Sequence, residues 1–127
     1  MDLGFDGFLV TEVAIDFTLR LNGSPRGTFS FENAVLLERA DANPEVVPVG
    51  SRDLSGVAAF EFLSGLTVST AVANSVGSLM VTFADGTRLS VEPSPDYEAW
   101  GAVSPGGVQY ICLPGGEIAT FGLTPET

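Results

Sequence analysis

The sequence predicts a mainly β, antiparallel domain, and three observations carry that expectation. Apolar residues occupy every second position through Val13, Ile15, Phe17, Leu19 and Leu21, the period of a half-buried strand. The second half repeats short runs rich in Val, Thr, Leu and Phe, residue types that suit a pleated surface. Clusters of Gly, Pro, Asn and Asp separate these runs and supply turn chemistry. Together they predict about seven strands with at most one short helix, as a single sheet, a sandwich or a partly open barrel. The 127 residues suit one domain spanning 1–127, without room for a second core.

Taken in order, the alternation from Val13 to Leu21 reads as one strand whose character reaches back toward Phe8 through Leu9 and Val10. Asn22 to Gly27 is a turn in which Pro25 presets φ and Gly27 is free to take positive φ. The return strand runs from Thr28 to about Leu37, placing Phe29 and Phe31 opposite Leu21 and Leu19. Asp41, Asn43, Pro44, Glu45 and Pro48 then interrupt any ladder, so Glu38 to Arg52 reads as a surface loop. Leu54, Val57, Ala58 and Glu61 have helical spacing, which favours a short helix over Asp53 to Leu63, with Ser51 or Asp53 as N-cap and Gly65 as the stop.

Further strands are expected at Leu66–Ala73, Ser78–Phe83 and Thr87–Val91. Register decides the turn between the last two. A two-residue Asp85-Gly86 turn would split the apolar face, whereas a three-residue loop pairs Val81 with Leu89 and Leu79 with Val91. That loop needs Gly86 in the left-handed region, at a bulge. After the break at Glu92-Pro93-Ser94-Pro95, Val108–Leu113 and Glu117–Phe121 form a last hairpin around Pro114-Gly115-Gly116, and the tail Thr124–Thr127 frays.

Composition narrows function mainly by exclusion. Sixteen Asp and Glu against five Arg give a net charge of −11, with no Lys and no His. Such a surface repels phosphate, which argues against direct contact with nucleic acid or an anionic membrane and favours a basic protein partner. The same charge also serves solubility. Without histidine there is no imidazole base, no His-activated serine or cysteine and no His-ligated zinc. Without lysine there is no Schiff base. No phosphate-binding glycine loop and no calcium loop is present, so no cofactor and no metal are expected. The first ten residues carry two Asp and no basic residue, unlike a signal peptide. The single Cys112 sits between Ile111 and Leu113 and reads as a small buried hydrophobe in a protein of the reducing cytoplasm.

The densest chemical signal is Pro95-Asp96-Tyr97-Glu98-Ala99-Trp100-Gly101, two acids and two amphipathic rings in a segment that reads as loop. Asp96, Tyr97 and Glu98 are candidates for partner binding, with Glu92 and Asp85 on the neighbouring hairpin. Trp100 is assigned a structural role instead, plugging the open end of the sheet with its N–H bonded to a carbonyl. Gly86, Pro114, Gly115 and Gly116 are assigned to turns. No catalytic residue is assigned: a carboxylate hydrolase would need two facing acids at a set separation, for which Asp96, Glu98, Glu92, Glu117 and Asp85 are the available pool. A β domain holding a small ligand in a sheet pocket is the other alternative.

The run Phe83-Ala84-Asp85-Gly86-Thr87-Arg88-Leu89-Ser90-Val91, then Tyr97-Glu98-Ala99-Trp100, then Ile111 to Ala119 with its Pro-Gly-Gly turn, resembles an uncharacterised family of small acidic bacterial proteins. The N-terminal strand with Glu12, Val13 and Asp16 is similar too, while Glu38 to Gly65 matches poorly. That family brings no assigned activity. Small acidic single-domain proteins of this kind resemble the immunity proteins of bacterial toxin systems, which implies a non-enzymatic protein that covers a basic toxin.

Overall fold

A computed structural model of the chain describes residues 1–15, 18–49 and 57–122. Among them run eleven strands: β1 (Leu9–Ile15), β2 (Leu19–Ser24), β3 (Gly27–Phe31), β4 (Val35–Glu38), β5 (Glu45–Val47), β6 (Val68–Ala73), β7 (Leu79–Phe83), β8 (Arg88–Val91), β9 (Trp100–Val103), β10 (Val108–Cys112) and β11 (Ile118–Gly122). A 3-10 helix, Val57–Leu63, lies between β5 and β6. All pairings are antiparallel, in a six-stranded sheet ordered β1-β2-β3-β9-β10-β11 and a five-stranded sheet ordered β5-β4-β8-β7-β6. The inner faces of both contribute to one hydrophobic core. The mainly β, antiparallel expectation therefore holds, while a single sheet of about seven strands is corrected to two sheets and eleven strands.

Four local differences account for the miscount, and each has a physical cause. The alternation around Val13 to Leu21 is a hairpin: Ile15 pairs with Leu19 and Val13 with Leu21. Residues four apart share a face in one extended strand, and they also share a face when they oppose each other across a three-residue reversal. The period-2 pattern is blind to that reversal; Phe17 and Asp16 themselves lie outside the described residues. The return strand Thr28–Leu37 is likewise two strands in different sheets, with β3 ending at Phe31 and β4 starting at Val35. The expected loop after Glu38 contains β5, an edge strand on β4 that buries Val47. Pro44 and Pro48 bracket it, which confines it to an edge without abolishing it. Finally, β9 begins at Trp100, inside the segment read as loop.

Other expectations match the register. Leu19 pairs with Phe31 and Leu21 with Phe29. Val81 pairs with Leu89 and Leu79 with Val91, and Gly86 adopts a φ of +93°. The last hairpin pairs Cys112 with Ile118 and Val108 with Gly122. Gly27 departs from expectation: its φ is not positive, and its missing Cβ instead admits the Val103 carbonyl, which would stand 2.9 Å from one. The 3-10 helix occupies the expected helical stretch and Gly65 follows it at φ +94°, while the proposed N-caps Ser51 and Asp53, and the tail from residue 123, lie outside the described residues.

The N-terminal segment joins the two sheets along one side. Its backbone lines the edge of β6, through Leu3 N–H to Ala71 O (2.8 Å) and Val68 N–H to Phe8 O (2.8 Å). Phe5 and Phe8 point into the core, where Phe5 stacks on Phe29 at 4.0 Å between ring centres and meets Phe8 edge-on at 5.3 Å. Fully buried rings of this size dominate core energetics.

Candidate functional site

The chain passes between the sheets twice at the same end of the molecule, once from β3 to β4 through residues 32–34 and once from β8 to β9 through residues 92–99. These two crossovers are bonded to each other. The Glu32 and Asn33 amides donate to Ala99 O at 2.9 and 3.2 Å. Asn33 Nδ2 donates to Glu92 O (3.0 Å), and the Tyr97 hydroxyl donates to Asn33 Oδ1 (2.9 Å). Pro93 and Pro95 keep the second crossover out of any ladder; Ser94 and Ala99 turn inward, and the side chains from Pro95 to Glu98 are exposed. Tyr97 is 44% exposed, and Glu32, Glu92, Asp96 and Glu98 are all exposed.

Beneath this surface the core is closed by a clasp between turns of the two sheets. Trp100, 1% exposed, pairs with Phe31 in the six-stranded sheet and donates its indole N–H to Gly77 O at 2.9 Å. Gly77 belongs to the β6–β7 turn of the other sheet. The same carbonyl lies 3.4 Å from Cys112 Sγ. Burial pushes the Cys112 thiol above its ordinary range, and a backbone hydrogen bond with Ala99 opposes the shift only in part. A Cβ on Gly77 would collide with Gly116 O, and one on Gly116 with Val76 O. Both glycines also have positive φ, +95° and +102°. Gly115 N–H donates to Ser94 O at 2.8 Å, tying this turn to the second crossover. The Pro114-Gly115-Gly116 turn thus needs glycine because two backbones touch there. Pro114 itself is exposed.

Charge divides unevenly between the ends. Glu32, Glu92, Asp96, Glu98 and Glu117 gather where the crossovers meet, and Arg20 is the one described arginine near them. Arg26 and Arg39 lie beyond the other ends of their strands, and Arg88 is the first residue of β8 at that same end. Arg39 there stands 4.0 Å over the Phe62 ring. Asp85 is also at that far end: it sits in the β7–β8 turn and accepts the Thr87 amide at 2.9 Å, whereas Glu92 follows the opposite end of β8. The strand between them places the two roughly 20 Å apart at about 3.3 Å per residue. The grouping of Asp85 with the other four candidates is therefore corrected. Glu32 and Asn33 take its place; the signal in the sequence was the lapse of alternation directly after Phe31.

Register also builds a groove beside Glu92, on the outer face of the five-stranded sheet. Val72, Met80 and Ser90 form one cross-strand row, and Asn74, Ser78 and Glu92 extend the same three chains by two residues. Small Ser78 and Ser90 at diagonal corners leave a trough of about 190 Å³ between larger neighbours. Ser78 Oγ donates to Glu92 Oε1 at 2.8 Å.

Among the described residues the buried polar side chains are Thr87, Ser94 and Ser104, with no Asp or Glu. No cluster of three potential metal ligands is found among them, and no helix is long and apolar enough to cross a membrane. By architecture the molecule is an open, two-sheet antiparallel β domain whose loops converge on an acidic end. The chain belongs to the DUF6188 family, a family of unknown function, whose model matches residues 1–122. No curated protein and no solved structure matches it.

Proposed function

We propose that this chain is a non-enzymatic binding protein whose crossover end docks on a basic protein partner, and that it acts as a bacterial immunity protein covering a basic toxin in the cytoplasm. The observation that carries the reading is the meeting of the two crossovers, which presents Glu32, Glu92, Asp96 and Glu98 around an exposed Tyr97 whose hydroxyl is fixed by Asn33. A ring held in place loses little entropy on binding, and carboxylates around it steer a cationic surface into register. The immunity role rests on the resemblance to small acidic immunity proteins. A reducing compartment suits the free, buried Cys112.

The alternatives draw less support. The groove beside Glu92, at about 190 Å³, is smaller than the ~300–1,000 Å³ usual for small-molecule sites. A carboxylate hydrolase calls for a facing pair with one acid desolvated, and none of the described carboxylates is buried. The test is affinity capture from the source cell with the wild-type chain and with an Asp96→Asn, Glu98→Gln double variant. The reading expects a basic protein on the first and its depletion on the second; a neutral or acidic protein captured equally by both overturns it.

A further inference from the structure

We infer that the groove on the outer face of the five-stranded sheet is an anchor site for one cationic side chain, Lys or Arg, presented by the partner. The inference rests on the proposed function and specifies the chemistry of the docking residue. The groove adjoins the acidic crossover end through Glu92, which belongs to both. Its apolar lining includes Met80 and Val72, which are 43% and 39% exposed. One end is polar, lined by Glu92, Ser78 and Asn74, while Ser90 pairs with Met80. Lys and Arg side chains have this same division, an aliphatic stem that prefers apolar surface and a charged head that seeks a carboxylate.

Three features favour that occupant over others. The Ser78 hydroxyl holds Glu92 Oε1 at 2.8 Å, which fixes the carboxylate at the groove's end while leaving most of its acceptor sites free. An apolar side chain would strand that carboxylate against hydrocarbon, and an anionic one would meet it directly. A second copy of this chain, carrying the same −11 charge, is repelled from this end. The volume accommodates a single side chain and not a larger ligand.

The experiment needs no identified partner. Nα-acetyl-arginine N-methylamide is titrated into the isotope-labelled protein and amide shifts are followed by NMR, with the neutral citrulline analogue as the isosteric control. Saturable shifts are expected on Ser78, Met80, Ser90 and Glu92, weak or absent with citrulline. Glu92→Gln should weaken arginine binding about tenfold, as the loss of one charge-assisted hydrogen bond implies. Met80→Ser should also weaken it, by removing apolar lining for the stem while keeping the charge. Both variants are on the surface, and their unchanged melting temperatures confirm the fold. Equal shifts with citrulline, shifts centred on Asp96 and Glu98 instead of the groove, or full binding by Glu92→Gln would each overturn the anchor. If the probe misses the groove while a captured basic protein still depends on Asp96 and Glu98, the anchor falls and the proposed function stands. If arginine fills the groove but no basic protein is captured, the proposed function falls alone.

Discussion

Tyr97 and Trp100 stand three residues apart in one acidic, aromatic motif, yet the first is 44% exposed and the second 1%. The difference comes from where pairing resumes. Trp100 is the first residue of β9 and pairs with Phe31, so the pleat directs its ring inward. Tyr97 precedes any ladder, and only its hydroxyl is tied down, to Asn33. One short segment therefore divides its labour: Trp100 closes the core, and Tyr97 with its flanking acids remains available to a partner.

Trp100→Ala should cost ~3–5 kcal/mol, as a large-to-small core substitution, and lower the melting temperature by well over 6 °C at roughly 2–8 °C per kcal/mol. A melt within a degree or two of the parent would show that the ring contributes nothing to closure. Trp100→Phe keeps much of the volume but leaves Gly77 O without its indole donor, for a smaller loss of ~1–3 kcal/mol.

Gly77→Ala tests the clasp behind the ring. The added methyl meets the Gly116 backbone, and the φ of +95° disfavours any L side chain, so backbone strain alone should cost ~1–3 kcal/mol. A neutral result, read from denaturant midpoints, would mean that the two turns separate freely.

Cys112 sharpens the same region through pH. Its thiol is raised above the ordinary value of 9.0, chiefly by desolvation. A folded-state value above the unfolded one means that the folded protein holds the proton more tightly. The associated stability is complete below the unfolded value and is lost as pH rises through the folded one. The wild type should therefore lose stability faster than Cys112→Ala between neutral pH and the alkaline limit, and its thiol should react slowly with disulfide reagents until the protein unfolds. Parallel stability curves for the two proteins would remove the thiol from the account.

How much of this was legible in the sequence depends on the range of the interaction. The β7–β8 register followed from local rules, because a three-residue loop keeps Leu79, Val81, Leu89 and Val91 on one face whereas a two-residue turn splits it. The inward Trp100 and the glycine turn at Gly115-Gly116 were also visible as residue types. What was hidden was parity-preserving or nonlocal. The Ile15–Leu19 reversal leaves the alternation intact, and nothing near Phe31 says that β4 joins the other sheet. The meeting of Asn33 with Tyr97, 64 residues apart, follows from that crossover alone, so the sequence singles out Asp96, Tyr97, Glu98 and Glu92 at this end of the molecule but not Glu32 and Asn33 beside them.

The smallest effect on stability should accompany the clearest effect on association. Tyr97→Phe removes one exposed hydrogen bond and should cost no more than ~0.5–1.5 kcal/mol, while the double neutralisation Asp96→Asn, Glu98→Gln on the exposed crossover should leave the melt nearly unchanged. Against the captured partner, however, the double variant should associate more slowly, because complementary potential acts chiefly on the encounter rate and much less on dissociation. Neutralising Asp41 and Asp85 together, two exposed acids at the far ends of β4 and β8, removes the same two charges and should leave that rate closer to the wild type, which separates a directed field from net charge alone. Since screening shortens to ~8 Å at physiological salt, the wild-type association rate should fall steeply as salt rises through that range, and the double variant's should fall less. Stopped-flow measurement of the three proteins across a salt series reads all of this. Equal slopes for the Asp41, Asp85 variant and the Asp96, Glu98 variant would mean that the acids act only through total charge, and that Tyr97 and its crossover have no privileged place in recognition.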